Sequence, residues 1–222
     1  MLISGFAAGP WGTNCWIAAS AKGQECVIVD PGLDSIEILK SRLEANSLKP
    51  VAVLLTHGHI DHMWSVTPIA DGYEIPALIH ESDRHLLADP LAGVGPQSVA
   101  LVEQLKAEFV EPAKLQILRE AVEIEIAGLR FRVVPSPGHT EGSVMFELIS
   151  EQPRIFSGDV LFKGSIGRTD LPGGDHTKML QTLQQKVLTL APETIVHCGH
   201  GPDTLIQNEI KSNPYLKALQ GN

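Results

Sequence analysis

Val51-Ala52-Val53-Leu54-Leu55 is an unbroken apolar run of strand length, and it leads straight into Thr56-His57-Gly58-His59-Ile60-Asp61-His62. A strand that is apolar on both faces has to be covered on both faces, as a parallel strand inside an α/β layer is. The residues before it fit that reading. Cys15 to Ala19 and Cys26 to Val29 read as short strands, the second closed by the turn residues Asp30-Pro31-Gly32. Asp34 with Glu37 three residues later predicts a capping box, and Ile36, Leu39 and Leu43 recur at helical spacing as far as Asn46. Strand, helix and strand in that order predict an α/β fold.

The stretch from Asp89 to Gln97, with Pro90, Gly93, Gly95 and Pro96, reads as a flexible loop and a candidate lid, and Val99 to Val110 as a short helix after it. Apolar residues alternate at Ile124, Ile126, Leu129, Phe131 and Val133 around Ala127-Gly128, which predicts a hairpin with one wet face. Strands are expected at Val144 to Ile149, Arg154 to Phe156 and Thr194 to His197. A Gly-rich loop from Gly164 to Gly174 and a long helix marked by Met179, Leu183 and Val187 lie between the last two. No composition shift or charged linker divides the 222 residues, so a single domain over 1–222 is expected.

The chemistry sits in the histidines. An isolated histidine is usually a surface or hydrogen-bonded core residue, but three within six residues, joined by Asp61 directly after a buried strand, form a metal-site pattern. His57 and His59 at i, i+2 can point the same way from an extended segment, and Gly58 lets the backbone turn between them. Asp61 and His62 begin a helical turn and project elsewhere, so one ion does not easily take all four, whereas two neighbouring ions can. Two ions need further ligands at other strand ends, and three candidates stand there. They are His139 in Ser136-Pro137-Gly138-His139-Thr140, Asp159 in Phe156-Ser157-Gly158-Asp159, and His200 in His197-Cys198-Gly199-His200-Gly201.

These four motifs in this order resemble the metallo-β-lactamase superfamily along essentially the whole chain. Within it, Asn14-Cys15, Asp30-Pro31-Gly32 and Gly164-Ser165-Ile166-Gly167-Arg168-Thr169-Asp170 are similar to the glyoxalase II-like hydrolases, in particular the short bacterial ones. The resemblance implies a four-layer αβ/βα sandwich, two mixed β-sheets flanked by helices with the metal site at one edge. It implies that His57, His59 and His139 hold one divalent ion, that Asp61, His62 and His200 hold a second, and that Asp159 bridges. Zinc is the first expectation, with iron or manganese as alternatives. Asp61 and Asp159 would orient the hydroxide, and Arg168 would grip a substrate carboxylate. Full-length glyoxalase II enzymes carry a further C-terminal helical region that helps to hold glutathione, and 22 residues follow His200.

Two divalent ions, two carboxylates and one hydroxide would leave a centre of about one net positive charge, suited to a developing oxyanion. A thioester is a sensible substrate, because a thiolate leaves easily and is a good zinc ligand. The expected activity is therefore hydrolysis of an acyl-thiol of the hydroxyacylglutathione type. Two alternatives within the superfamily are a lactonase and a persulfide dioxygenase with one iron on His57, His139 and Asp159. The composition narrows the partners. A formal charge of −9 disfavours nucleic acid, and no run approaches the roughly 20 apolar residues that cross a bilayer. Three cysteines without C-x-x-C spacing and an N-terminus with no signal-peptide pattern predict the reducing cytoplasm. Cys198 is expected to be a small buried hydrophobe rather than an oxidation sensor.

Overall fold

The computed structural model describes residues 1–105 and 107–220. In chain order the elements are β1 (Leu2–Ala8), β2 (Thr13–Ala19), β3 (Glu25–Val29), α1 (Ile36–Asn46), β4 (Lys49–Leu54), α2 (Ile60–Met63), α3 (Val66–Gly72), β5 (Ala77–His80), α4 (Pro96–Leu105) and β6 (Leu115–Leu118). There follow β7 (Val122–Ile126), β8 (Leu129–Pro135), β9 (Val144–Leu148), β10 (Arg154–Gly158), α5 (His176–Thr182), β11 (Ile195–Cys198), β12 (Thr204–Leu205), α6 (Ile206–Ser212) and α7 (Pro214–Gln220). The strands form two mixed six-stranded sheets, ordered β1-β2-β3-β4-β5-β6 and β12-β11-β10-β9-β8-β7.

Period-two alternation sorts the first sheet's side chains. Cys15, Ile17, Cys26, Ile28, Val53 and Leu55 point outward and pack with Leu39, Leu43, Ile69 and Val102 of the covering helices. Their neighbours Trp16, Ala18, Val27, Val29, Ala52 and Leu54 point inward and meet Phe131, Val133, Phe146 and Phe156 of the second sheet. A third core lies where Met145, Ile155 and Val196 on that sheet's outer face meet Met179, Leu183, Ile206 and Leu216. Helix, sheet, sheet and helix stack as the sandwich expected, with helix–sheet packing on both outer faces.

Strand direction decides where the chemistry collects. β3 and β4 run parallel, as do β10 and β11, while β8 and β10 flank β9, to which both are antiparallel. The C-terminal ends of β3, β4, β8, β10 and β11 therefore open on one edge of the sandwich, and so does the start of β2, which is antiparallel to β3. The sheets are tied together there by Val144 N–H donating to the Thr56 carbonyl at 2.8 Å and Asn14 N–H donating to the Gly199 carbonyl at 2.7 Å.

Several expectations need correction. β1 carries no clear signal in the sequence: its small residues give a weak pattern, and Gly5 fits against Trp16, whose ring a Cβ would strike. β5 and β6 have four residues each, too few for a period to show. The capping box does not form. Asp34 takes a left-handed conformation with φ +61°, and Ser35 occupies the N-cap, its hydroxyl donating to the Gly32 carbonyl at 2.7 Å. The helix expected to reach Val110 is α4, which ends at Leu105; Lys106 lies outside the described residues, and Phe109 and Val110 are not helical. The long helix is present as α5, continued by one π-helical turn over Leu183–Val187, and Asp175 caps it by accepting from Lys178 N–H at 3.0 Å. Among the described residues no helix is long and apolar enough to cross a membrane.

Candidate metal centre

All seven expected ligands meet at this edge. Their ligand atoms form three overlapping groups, each with its atoms within 4.8 Å of one another: His57, His59 and His139; His57, His62 and Asp159; and Asp61, His62 and His200. His59 Nδ1 and His139 Nε2 stand 2.8 Å apart. His62 Nε2 is 3.2 Å from Asp159 Oδ1 and 3.4 Å from Asp61 Oδ2, and His200 Nε2 is 3.2 Å from Asp61 Oδ2. The other four histidines lie elsewhere. His80, for example, caps a 3₁₀ turn over Glu81–Leu87, and His197 stacks on Phe156 with its ring centroid 5.0 Å away.

The hydrogen bonds set the rings' orientation. Asp30, buried at the end of β3, accepts from Thr56 N–H at 2.8 Å and from the Thr56 hydroxyl at 2.6 Å. That hydroxyl hydrogen is spent on Asp30, so the oxygen accepts from His57 Nδ1–H at 3.1 Å. His62 Nδ1–H donates to Asp30 at 3.0 Å, and His139 Nδ1–H donates to the Arg168 carbonyl at 2.7 Å. In all three imidazoles Nε2 is thereby turned toward the centre, where that of His139 meets His59 Nδ1 and that of His62 meets the Asp61 and Asp159 carboxylates. The buried Nε2 atoms of His57 and His59 and Oδ1 of Asp159 have no hydrogen-bond partner among the described residues. A set of imidazole lone pairs and two carboxylates, packed this closely with polar atoms unpartnered, fits divalent cations.

The electrostatics agree. Burial holds His57 well below the usual histidine range and brings His59 down to about 3, so both rings are neutral and ready to donate lone pairs. Burial opposes charge on His62 and His200 too, but Asp61 and Asp159 outweigh it and raise both. Burial likewise opposes ionisation of Asp61 and Asp159, and the facing imidazoles, His62 first, overcome it and lower both carboxyls. The carboxylate field that favours protons on His62 and His200 is equally available to a metal cation, whose binding would displace them.

Two supporting residues escaped the sequence reading. Asp30 carries the pattern of turn chemistry, although an Asp closing a buried strand is a usable signal. Asp83 gave none: it is buried in the 3₁₀ turn and accepts from Gly58 N–H at 2.9 Å, the Thr140 hydroxyl at 2.6 Å and Gly142 N–H at 2.7 Å. It thereby links the loop bearing His57 and His59 to the loop bearing His139.

The centre forms the floor of an open cleft of about 710 Å³, with walls that include Trp11, Ile60, Val94, Phe162 and Leu171. Val94 and Gly95 come from the segment read as a candidate lid. Arg168 stands at the cleft with its guanidinium forked onto Asp170 at 2.7 Å through both Nε and Nη2, and both side chains are exposed. Trp16 belongs to the inter-sheet core, not to the cleft. Cys198 is buried, as are Cys15 and Cys26, and none is in a disulfide.

A sandwich of two mixed sheets that carries such a centre at its open edge is the architecture of a metallo-hydrolase. The model of the metallo-beta-lactamase superfamily matches residues 8–200, and the chain belongs to that superfamily. It is 40% identical to the crystal structure of BLEG-1 B3 metallo-beta-lactamase, with a TM-score of 0.87 over 97% of this chain and 99% of that one. The crystal structure of TTHA1623 in a di-iron-bound form is 33% identical, with a TM-score of 0.78 over 96% of this chain and all of that one. Hydroxyacylglutathione hydrolase GloC of Haemophilus influenzae is 32% identical over 202 residues, 88% of this chain and 89% of GloC.

Proposed function

We propose that the protein is a binuclear metal-dependent hydrolase of acyl-thiols of the hydroxyacylglutathione type. The observation that carries this is the centre beneath the cleft: three imidazoles whose Nδ1 hydrogen bonds turn Nε2 toward two carboxylates. His57, His59 and His139 would hold one ion and Asp61, His62 and His200 the other, with Asp159 shared. Zinc is our choice, although the likeness to a di-iron form keeps iron in view. When bound, two such ions supply Lewis acidity, ionising water near neutral pH and receiving a developing oxyanion.

The chain's own residues aim the reaction. Asp61 and Asp159 both face His62 Nε2 from the cleft floor, where a carboxylate oxygen can accept a hydrogen bond from the attacking water and direct its lone pair at the thioester carbonyl carbon. Trp11, Phe162 and Leu171 offer apolar walls to the acyl and thiol parts, and Arg168, at the cleft, would receive a carboxylate in exchange for Asp170. The likeness to GloC supports the thioester, and the match covers most of both chains. The free, buried thiols fit a cytoplasmic setting.

The test is turnover by the zinc-loaded protein of S-lactoylglutathione, a neutral thioester, a lactone and, because of the likeness to BLEG-1, a β-lactam. We expect thioester cleavage to dominate and to be lost in His59→Ala. Preference for the lactone or the lactam would replace the substrate assignment. One iron per chain with oxygen uptake on glutathione persulfide would replace the reaction class.

A further inference from the structure

The two halves of the centre are held by different means. His57, His59 and His139 are buried, and the first and third are backed by Thr56 and the Arg168 carbonyl. In the other half, His62 is likewise buried and backed by Asp30, but Asp61 sits in the short helix α2 and His200 in the loop after β11, where its side chain is 28% exposed. One residue touches both. The Thr13 hydroxyl donates to Asp61 Oδ2 at 2.8 Å, the same oxygen that faces His62 Nε2 and His200 Nε2, and Thr13 forms an isolated antiparallel bridge with His200. Asn14 extends the contact: its N–H donates to the Gly199 carbonyl, and its side-chain amide donates to the Cys198 and Gly201 carbonyls at 3.0 and 2.8 Å.

We propose that Thr13 is a positioning residue for the second half of the centre, fixing the Asp61 carboxylate through its hydroxyl and registering His200 through its backbone, so that it sets the affinity of the second ion without setting that of the first. The reasoning is geometric. A carboxylate can rotate about its last torsion, and a donor on the inward oxygen removes that freedom before a cation arrives. Thr13 is 2% exposed, so water does not readily replace the lost donor. Its hydroxyl makes no contact with His57, His59 or His139 among the hydrogen bonds of the described residues. Changes to groups that orient metal ligands weaken metal binding about 10–100-fold.

This inference rests on the two-ion reading, and the experiment separates the two. Metal-free wild type, Thr13→Val and Thr13→Ser are titrated with zinc against a competing chelator, and bound zinc per chain is measured after buffer exchange. Wild type should take two ions. Thr13→Val, close in shape and without a donor, should bind its first ion as wild type does and its second about 10–100-fold more weakly. Thr13→Ser, which keeps the hydroxyl, should stay within about threefold of wild type. Equal weakening of both ions in Thr13→Val, or two ions at wild-type affinity, overturns the role of Thr13. A wild type that takes only one ion at saturating zinc overturns the two-ion reading instead. If Thr13→Val does not fold, Thr13→Ala against Thr13→Ser carries the same comparison.

Discussion

Replacing Asp83 by Ala removes a buried acceptor that serves three donors on two loops. The Thr140 hydroxyl keeps a partner, Ser143 Oγ at 2.8 Å, but Gly58 N–H and Gly142 N–H are left without one. Each buried unsatisfied group costs about 1–3 kcal/mol, so the variant should lose about 2–6 kcal/mol, a large share of the roughly 5–15 kcal/mol that holds a domain together. Gly58 has little room to move toward another acceptor, since a Cβ there would lie 2.8 Å from Leu86 and 2.9 Å from the Asp83 carbonyl oxygen. Urea unfolding of the metal-free protein measures the loss as a fall in midpoint of about 0.7–2 M for a slope near 3 kcal/mol/M. Asp83→Asn, which retains one acceptor, should fall about half as far. The same variants should bind zinc less tightly, since His59 and His139 sit on the two loops that part. A loss under about 1 kcal/mol in Asp83→Ala would refute the reasoning, because the two amides would then have found other acceptors.

Two further outcomes follow from groups outside the ligand set. Asp170→Asn should lower KM for S-lactoylglutathione about two- to fivefold at unchanged kcat by freeing Arg168, since an exposed pair is worth at most about 1 kcal/mol; an equal effect on a neutral thioester would show that Arg168 meets no carboxylate. The thiols should be silent toward a disulfide reagent at pH 8 in the native protein and number three per chain in denaturant, as burial pushes Cys26 and Cys198 up to about 12 and raises Cys15 further. Because these folded-state values lie above the unfolded thiol's value of about 8.5, their stabilising contribution is complete below that pH and fades as the pH climbs toward 12; constant stability between pH 8 and 10.5 would contradict it.

The chain's local pattern was enough to pick out the seven residues that meet at the centre, because a cluster of histidines and aspartates after strands leaves a dense mark. His57 to His62 follow an apolar strand within a few residues, and His139, Asp159 and His200 each sit beside a glycine just after another strand. The hairpin around Ala127-Gly128 and the buried strand β4 were legible for a similar reason: their periodicity lies within a handful of adjacent residues. The tertiary structure alone decided the rest. β1 shows its place only against Trp16, and β5 and β6 are too short to reveal a period. Asp83 and Thr13 look ordinary in the sequence, yet Asp83 joins segments 25 and 59 residues away and Thr13 reaches an aspartate 48 residues away. Hydrogen bonds between distant segments leave no period in the chain, and it is strand direction, fixed only when both sheets close on a common core, that brings their ends to one edge.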